Sequence, residues 1–146
     1  MTRQGARSRR RDDGAAAVEF ALIAPLLILL VFGIISYAYM LSFRQGMSQG
    51  ASEGARAAAV WASSYQTTQD SERTAAATTQ VNNALASYGV SCSSGATCTV
   101  TIAACGTAKC VTVKVSYPYE AKPLTPSFPL VPLPNTLTYS ATARVS

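Results

Sequence analysis

The chain has 146 residues, a formal net charge of +5 and no histidine, so it lacks the commonest general base and the commonest metal ligand. Five arginines before Gly14, set against Asp12 and Asp13, contribute +3 of that charge, and the remainder is not basic enough to indicate nucleic-acid binding. We therefore expect one small domain beside any membrane segment, with no enzymatic activity, cofactor, metal or small-molecule substrate.

The N-terminal part reads as a leader followed by a membrane span. Residues 1–14 are polar and rich in arginine, which predicts a disordered cytoplasmic leader. Phe20 to Phe43 is 24 residues without a charge, and about 20 apolar residues suffice to cross a bilayer. We predict a transmembrane helix over residues 15–43. Because arginines cluster before it and only Arg44 follows closely, the N-terminus is expected in the cytoplasm and the rest outside the cell membrane.

A juxtamembrane extension of this helix is predicted over residues 44–64. Small residues recur there at every fourth position and would form a shallow groove in which another helix or backbone can lie close. Glycines inside a helix each cost about 0.8–1 kcal/mol relative to alanine, which favours a packing reason over the alternative of a weak alanine-rich stalk. The predicted helix-packing residues are Gly46, Gly50, Gly54 and Ala58.

The remaining residues, 65–146, are predicted to form a small extracytoplasmic head of the α+β class. A helix is expected from about residue 71 to 87, with Gly89 as its stop. Residues 97–102 and 110–117 are rich in β-branched side chains and predict a hairpin, and residues 137–145 alternate as a third strand. Residues 118–134 hold six of the seven prolines and predict an extended loop.

Four closely spaced cysteines lie in the head. Outside the cytoplasm an even number of cysteines more often forms disulfides than a reactive or metal site, and no histidine is present to complete a mixed zinc site. Two disulfides are therefore expected. Their pairing stays open at this point, although the local one, 92–98 with 105–110, is favoured because each bridge closes a short loop. The residues are Cys92, Cys98, Cys105 and Cys110.

The junction between leader and span carries the most distinctive chemistry. Gly14 is a small residue at the edge of the membrane, where a peptidase at the cytoplasmic face could cut and leave a free amine on Ala15. Glu19 is the only formal charge for almost thirty residues, and an unpaired carboxylate there is costly. The new amine of a neighbouring subunit is a natural partner for it. The alternative is a glutamate that reaches the lipid interface alone.

These residues resemble a known family. Gly14, Glu19 and Phe20 before a long apolar helix are similar to the processing site of type IV prepilins, and the longer string through residue 26, with Gln45 and residues 51–59, resembles the TadE-like family of minor pseudopilins. The resemblance implies cleavage after Gly14 by a prepilin peptidase. It also implies assembly of tight-adherence (Flp) pili, with other pilin subunits and the assembly platform as partners.

Two other interpretations remain open from the sequence. One is an uncleaved single-pass anchor that displays an adhesive or ligand-binding head. The other is a secreted thiol oxidoreductase, disfavoured because the cysteines show no thioredoxin spacing. We therefore predict a pseudopilin precursor that resides in the membrane and is incorporated into or assembles a pilus.

Overall fold

The computed structural model describes residues 5–61, 65–126 and 132–145, with side chains from Gly14 onward. The first helix, α1, covers Gly5–Ala59, with Pro25 inside it. The backbone is therefore helical over residues 5–13, which differs from the predicted disordered leader, because continuing an existing helix costs far less than starting one. At the other end α1 ends at Ala59, short of the predicted residue 64; residues 62–64 lie outside the described part.

The two halves of α1 have different surroundings. Gly14 to Ile35 has no buried residue, and in the described chain α1 is the one helix long and apolar enough to cross a membrane. From Ser36 onward α1 buries one face in the head, so α1 joins the head already within the predicted transmembrane segment, residues 15–43. Hydropathy could not show this, because apolar side chains suit lipid and protein core equally. The buried residues of this half are Ser36, Met40, Phe43, Met47, Gly50, Ala51, Gly54, Ala55, Ala58 and Ala59.

A second helix, α2, covers Asp70–Leu85, as predicted. A short 3-10 turn, Thr67–Gln69, precedes it and another, Ala86–Tyr88, follows it. Gly89 then takes a positive φ of 68°, a left-handed conformation that glycine adopts without a steric penalty, and this ends the helical segment. The core face of α2 consists of Ala77, Val81 and Leu85, all fully buried.

The sheet has three antiparallel strands in the order β1-β2-β3. They are β1 (Thr97–Cys105), β2 (Ala108–Tyr117) and β3 (Leu137–Arg144). The predicted hairpin and third strand are confirmed, although β1 and β2 reach further into the turn than expected. Gly106, at φ 68°, permits this tight connection, in which Cys105 pairs with Ala108. Together with α1 and α2 this gives the predicted α+β architecture.

The helices cover one face of the sheet. Val111, Val113 and Val115 of β2 are fully buried, and they alternate with outward-facing Thr112 and Lys114. On the inner face α1 lies against β2 and β3, while α2 packs mainly on α1 and also reaches β1. The core of the head is therefore built around the second half of α1.

Two disulfides stabilise the head, as predicted, and their pairing is the local one. Cys92–Cys98 joins the segment after α2 to the start of β1, and Cys105–Cys110 closes the β1–β2 hairpin. The first bridge is also tied to α2, because the backbone N–H of Cys92 donates a hydrogen bond to Asn82 Oδ1 at 2.8 Å. Neither bridge leaves a free thiol.

The proline-rich segment lies at the end of the head where α1 enters. Residues 118–126 and 132–136 contain no helix or strand, in agreement with the predicted loop, and residues 127–131 lie outside the described part. The two arms are joined by a hydrogen bond from the N–H of Glu120 to the carbonyl of Asn135, at 3.1 Å. They bring the loop back beside the helix.

Candidate assembly site on the first helix

The exposed half of α1 is an uninterrupted apolar surface. Phe20 is 71% exposed and Leu22 is 75% exposed, and the aliphatic side chains that follow, as far as Ile35, are exposed too. Proteins that live in water rarely expose a continuous apolar surface of this length. Lipid, or the apolar helices of other subunits, is the environment that this half of the helix fits.

Gly14, the predicted cleavage residue, lies at the start of this exposed half. It is helical, and a Cβ built on it would meet no atom within 4 Å. Glycine lowers local helix stability by about 1 kcal/mol relative to alanine, so the Gly14–Ala15 peptide is a weak point in α1. Nothing in the described fold requires glycine at this position.

Glu19 and Phe20, the predicted pairing residues, are both exposed. Glu19 lies four residues after Ala15 and therefore on the same side of the helix. If Ala15 became the first residue, the carboxylate would stand near a helix N-terminus, where the helix dipole favours negative charge. In the described ranges the buried face of α1 begins at Ser36, more than four helical turns beyond Glu19.

The predicted packing residues of α1 lie against α2 of the same chain. A Cβ on Gly54 would come within 3.0 Å of the Ala77 carbonyl oxygen, and a Cβ on Gly50 would come within 3.1 Å of Ala84 Cβ. At Gly46 the neighbour is the Tyr88 ring, again at 3.0 Å. The row of small residues thus allows the two helices to approach closely within one head.

An aromatic cluster surrounds Phe43, at the end of the head where α1 enters. The Phe43 ring is fully buried and makes edge contacts with Tyr88 and Tyr117, at centroid distances of 5.1 and 4.9 Å. Tyr119 lies 6.2 Å away. Such pairs add about 0.5–1.5 kcal/mol each beyond the burial of their surface. Burial raises the pKa of both Tyr117 and Tyr119.

Two polar contacts join the outer surface of α1 to the rest of the head. Tyr37 Oη donates a hydrogen bond to the Pro132 carbonyl at 2.6 Å, and Arg44 Nε donates one to Tyr139 Oη at 2.9 Å. The first contact holds the proline-rich loop against the helix, and the second holds β3. These two contacts fix the head to α1 at the end where the helix enters.

The far end of α1 is held by a buried cation. Arg73, in the first turn of α2, has no exposed surface and donates from Nη1 to the carbonyls of Ala58 and Ala59, at 2.7 and 3.2 Å. A cation at a helix C-terminus satisfies the last carbonyls and complements the helix dipole. The Tyr65 ring covers the guanidinium at 5.5 Å.

Sequence reasoning missed three of these features: the entry of α1 into the head at Ser36, the aromatic cluster, and Arg73. A charged residue in an amphipathic helix is normally assigned to the exposed face, so Arg73 carried no signal of burial. The tyrosines that meet Phe43 are distant in sequence, and only the fold brings them together. Glu53 and Arg56, on the packed half of α1, are both exposed.

No side-chain cluster suited to a metal is formed in the described ranges, which include all four cysteines. The four cysteines are consumed by disulfides. The features that α1 offers are therefore a glycine at the start of its exposed half, a carboxylate and an apolar helical surface.

The comparison with known families finds a match that lies entirely within α1. Residues 14–56 match the family model described as TadE-like protein. The matched range begins at Gly14, covers the exposed half of α1 and most of its packed half, and includes none of α2 or the sheet. This confirms the resemblance predicted from the sequence, over less than a third of the chain. No curated protein and no solved structure matches the chain.

Proposed function

We propose that this chain is a minor pseudopilin that takes part in the assembly of tight-adherence pili. In this proposal it is a single-pass protein of the cell membrane, with its N-terminus in the cytoplasm and its head outside. A prepilin peptidase cuts it between Gly14 and Ala15. The match to the TadE-like family over residues 14–56 supports this function, because that range begins at the proposed cleavage residue.

One observation carries the proposal. Gly14 and Glu19 lie together at the start of a long exposed apolar half-helix, while the other half is built into a folded head. An uncleaved anchor has no need of a glycine at this junction or of a carboxylate one turn later. A subunit that must be processed and then packed among other membrane helices needs both features.

Cleavage would change the charge of the N-terminus in a way that favours assembly. It removes the five leader arginines, each of which costs about 2.5–3.5 kcal/mol at mid-bilayer even on the lenient scale. It also creates an amine on Ala15. Glu19 can then pair with the amine of a neighbouring subunit, and the neutralised pair enters the apolar interior at a lower cost than the separate charges.

The head moves with the helix in this mechanism. Because the second half of α1 is the centre of the core, a force applied to the exposed half is transmitted to the whole head. The proposed partners are other pilin subunits, which meet the exposed half, and the assembly platform in the membrane.

The N-terminus of the mature protein tests the proposal. The chain is expressed with and without an active prepilin peptidase, extracted from membranes and analysed by intact mass and N-terminal sequencing. We expect Ala15 as the first residue only when the peptidase is active. A protein that keeps Met1 in the presence of the peptidase would contradict the proposal and leave the uncleaved anchor as the better interpretation.

A further inference from the structure

We infer that the end of the head formed by Tyr37, Tyr39 and the proline-rich arms, residues 118–126 and 132–136, rests directly on the outer surface of the bilayer. We call this end the seating surface. The inference deepens the proposed function, since it requires that α1 spans the membrane. It also assigns the lipid headgroup layer as the partner of a surface of the head.

The helix α1 passes from its exposed half into the head without a linker. Ile35 is 53% exposed and the next residue, Ser36, is 3% exposed. Each helical residue advances the chain by only about 1.5 Å, so the head begins within a few ångströms of the end of the exposed half. A continuous helix leaves no slack that would lift the head away from the membrane.

The hydrocarbon of the bilayer cannot extend beyond the point where α1 enters the head. The seating surface contains irregular backbone, and one of its carbonyls, that of Pro132, accepts the Tyr37 hydroxyl. Irregular backbone that faces lipid leaves polar groups without partners, so it is excluded from the bilayer core. The hydrocarbon boundary therefore falls at Ile35–Ser36, and not near Phe43 as hydropathy predicts.

Two tyrosines, Tyr37 and Tyr39, lie at this boundary. Tyr37 and Tyr39 are 39% and 37% exposed, and they follow the exposed apolar run that ends at Ile35. Tyrosine is enriched at membrane–water interfaces because its ring is apolar and its hydroxyl polar. Arg44 lies two turns higher, about 12 Å above Ser36, and its charge is directed towards Tyr139 and away from the hydrocarbon.

The seating has a consequence for Glu19. The uncharged stretch between Glu19 and the boundary, Phe20 to Ile35, is 16 residues and about 24 Å long. A bilayer core is about 30 Å thick, so an upright helix places Glu19 inside the inner edge of the hydrocarbon. The head thus acts as a stop that holds the carboxylate in the apolar layer, where pairing with an amine matters most.

The depth of individual residues tests this inference. The chain is co-expressed with a prepilin peptidase and placed in phosphatidylcholine vesicles that carry bromine at known depths along the acyl chains. Its single tryptophan is Trp61. In a Trp61→Phe background, tryptophan is introduced at exposed positions along α1, one variant at a time: Val18→Trp, Ile34→Trp, Tyr37→Trp and Gln49→Trp. The unaltered chain, with Trp61 at the far end of α1, is the control.

We expect bromines near the headgroups to quench Ile34→Trp strongly and Tyr37→Trp partly, while Gln49→Trp and Trp61 keep their fluorescence. Val18→Trp should also be quenched, from the opposite leaflet. Quenching of Gln49→Trp as strong as that of Ile34→Trp would overturn the inference, because lipid would then reach into the head. An unquenched Ile34→Trp would overturn it in the other direction, by showing a head held away from the bilayer.

Two measurements on the same samples keep this inference separate from the proposed function. Resistance of the chain to alkaline extraction reports insertion, and intact mass reports cleavage after Gly14. A cleaved and inserted chain with the wrong depth profile contradicts the seating alone. An uncleaved chain with the expected profile supports the seating and contradicts the pseudopilin function. An unquenched Val18→Trp would remove the predicted burial of Glu19.

Discussion

Arg73 Nη1 donates a hydrogen bond to the carbonyl oxygen of Ala58 at 2.7 Å, and so joins the first turn of α2 to the last turn of α1. Both residues are fully buried. The contact explains how α1 can end inside a protein core, since the last carbonyls of a helix have no partner within the helix itself. It also makes the end of the long helix dependent on one side chain of the head.

We expect Arg73→Met to lower the free energy of unfolding by about 2–3 kcal/mol, because it leaves buried carbonyls without a donor. Urea denaturation of the detergent-solubilised protein measures the change. Arg56→Met is the matched control, because Arg56 is also an arginine at the C-terminal end of α1 but its side chain is exposed. Its loss should cost less than about 1 kcal/mol. Equal effects of the two substitutions would contradict the capping role.

Gly54→Ala should destabilise the head, although alanine is the better helix former. The added methyl group would lie 3.0 Å from the Ala77 carbonyl oxygen, and a helix backbone cannot yield as a flexible side chain does. Overpacking of this kind costs typically about 1–3 kcal/mol, against a gain in helix propensity of about 1 kcal/mol. We expect a lower thermal midpoint for Gly54→Ala; an unchanged or higher one would show that α1 and α2 separate easily.

Gly14→Ala should block or strongly slow processing while leaving the fold intact. A Cβ at this position meets nothing within 4 Å, so any loss of cleavage reflects what the peptidase accepts and not damage to the substrate. Intact mass after co-expression with the peptidase measures the processed fraction, and Gly14→Leu extends the series. Normal cleavage of the leucine variant would contradict the assignment of the site.

Glu19→Ala should leave membrane insertion unchanged and reduce pilus formation. Removal of the carboxylate leaves the neighbouring subunit's amine unpaired in an apolar layer, and breaking a buried pair in this way costs about 3–5 kcal/mol. Counting pili by electron microscopy measures the effect. Glu53→Ala is the control, since Glu53 is exposed on the same helix but within the head. Wild-type piliation with Glu19→Ala would leave Glu19 as a residue of the lipid interface only.

The head should lose stability at alkaline pH. Burial raises the pKa of Tyr117 and Tyr119, so the folded state holds these protons more tightly than the unfolded state. Their contribution is present below the unfolded value of about 10 and is lost as the pH rises through the folded values. The thermal midpoint should fall above about pH 10, and the double variant Tyr117→Phe, Tyr119→Phe should show a shallower fall.

Much of this protein was predictable from the sequence. The apolar run after Gly14 and the carboxylate of Glu19 are local features, and their physical consequences do not depend on the fold. The hairpin followed from the alternation of Val111, Val113 and Val115. The local disulfides were favoured by short loops. In each case residues close in sequence decide the structure.

The sequence could not show where α1 enters the head, because Met40 and Phe43 are apolar and suit lipid and a protein core equally. Only the tertiary structure shows that Ser36 begins the buried face, that α2 fills the groove beside Gly50 and Gly54, and that Arg73 ends α1. Each of these depends on contacts between segments distant in sequence. Local periodicity determines which side of a helix is apolar, whereas packing decides what that side meets.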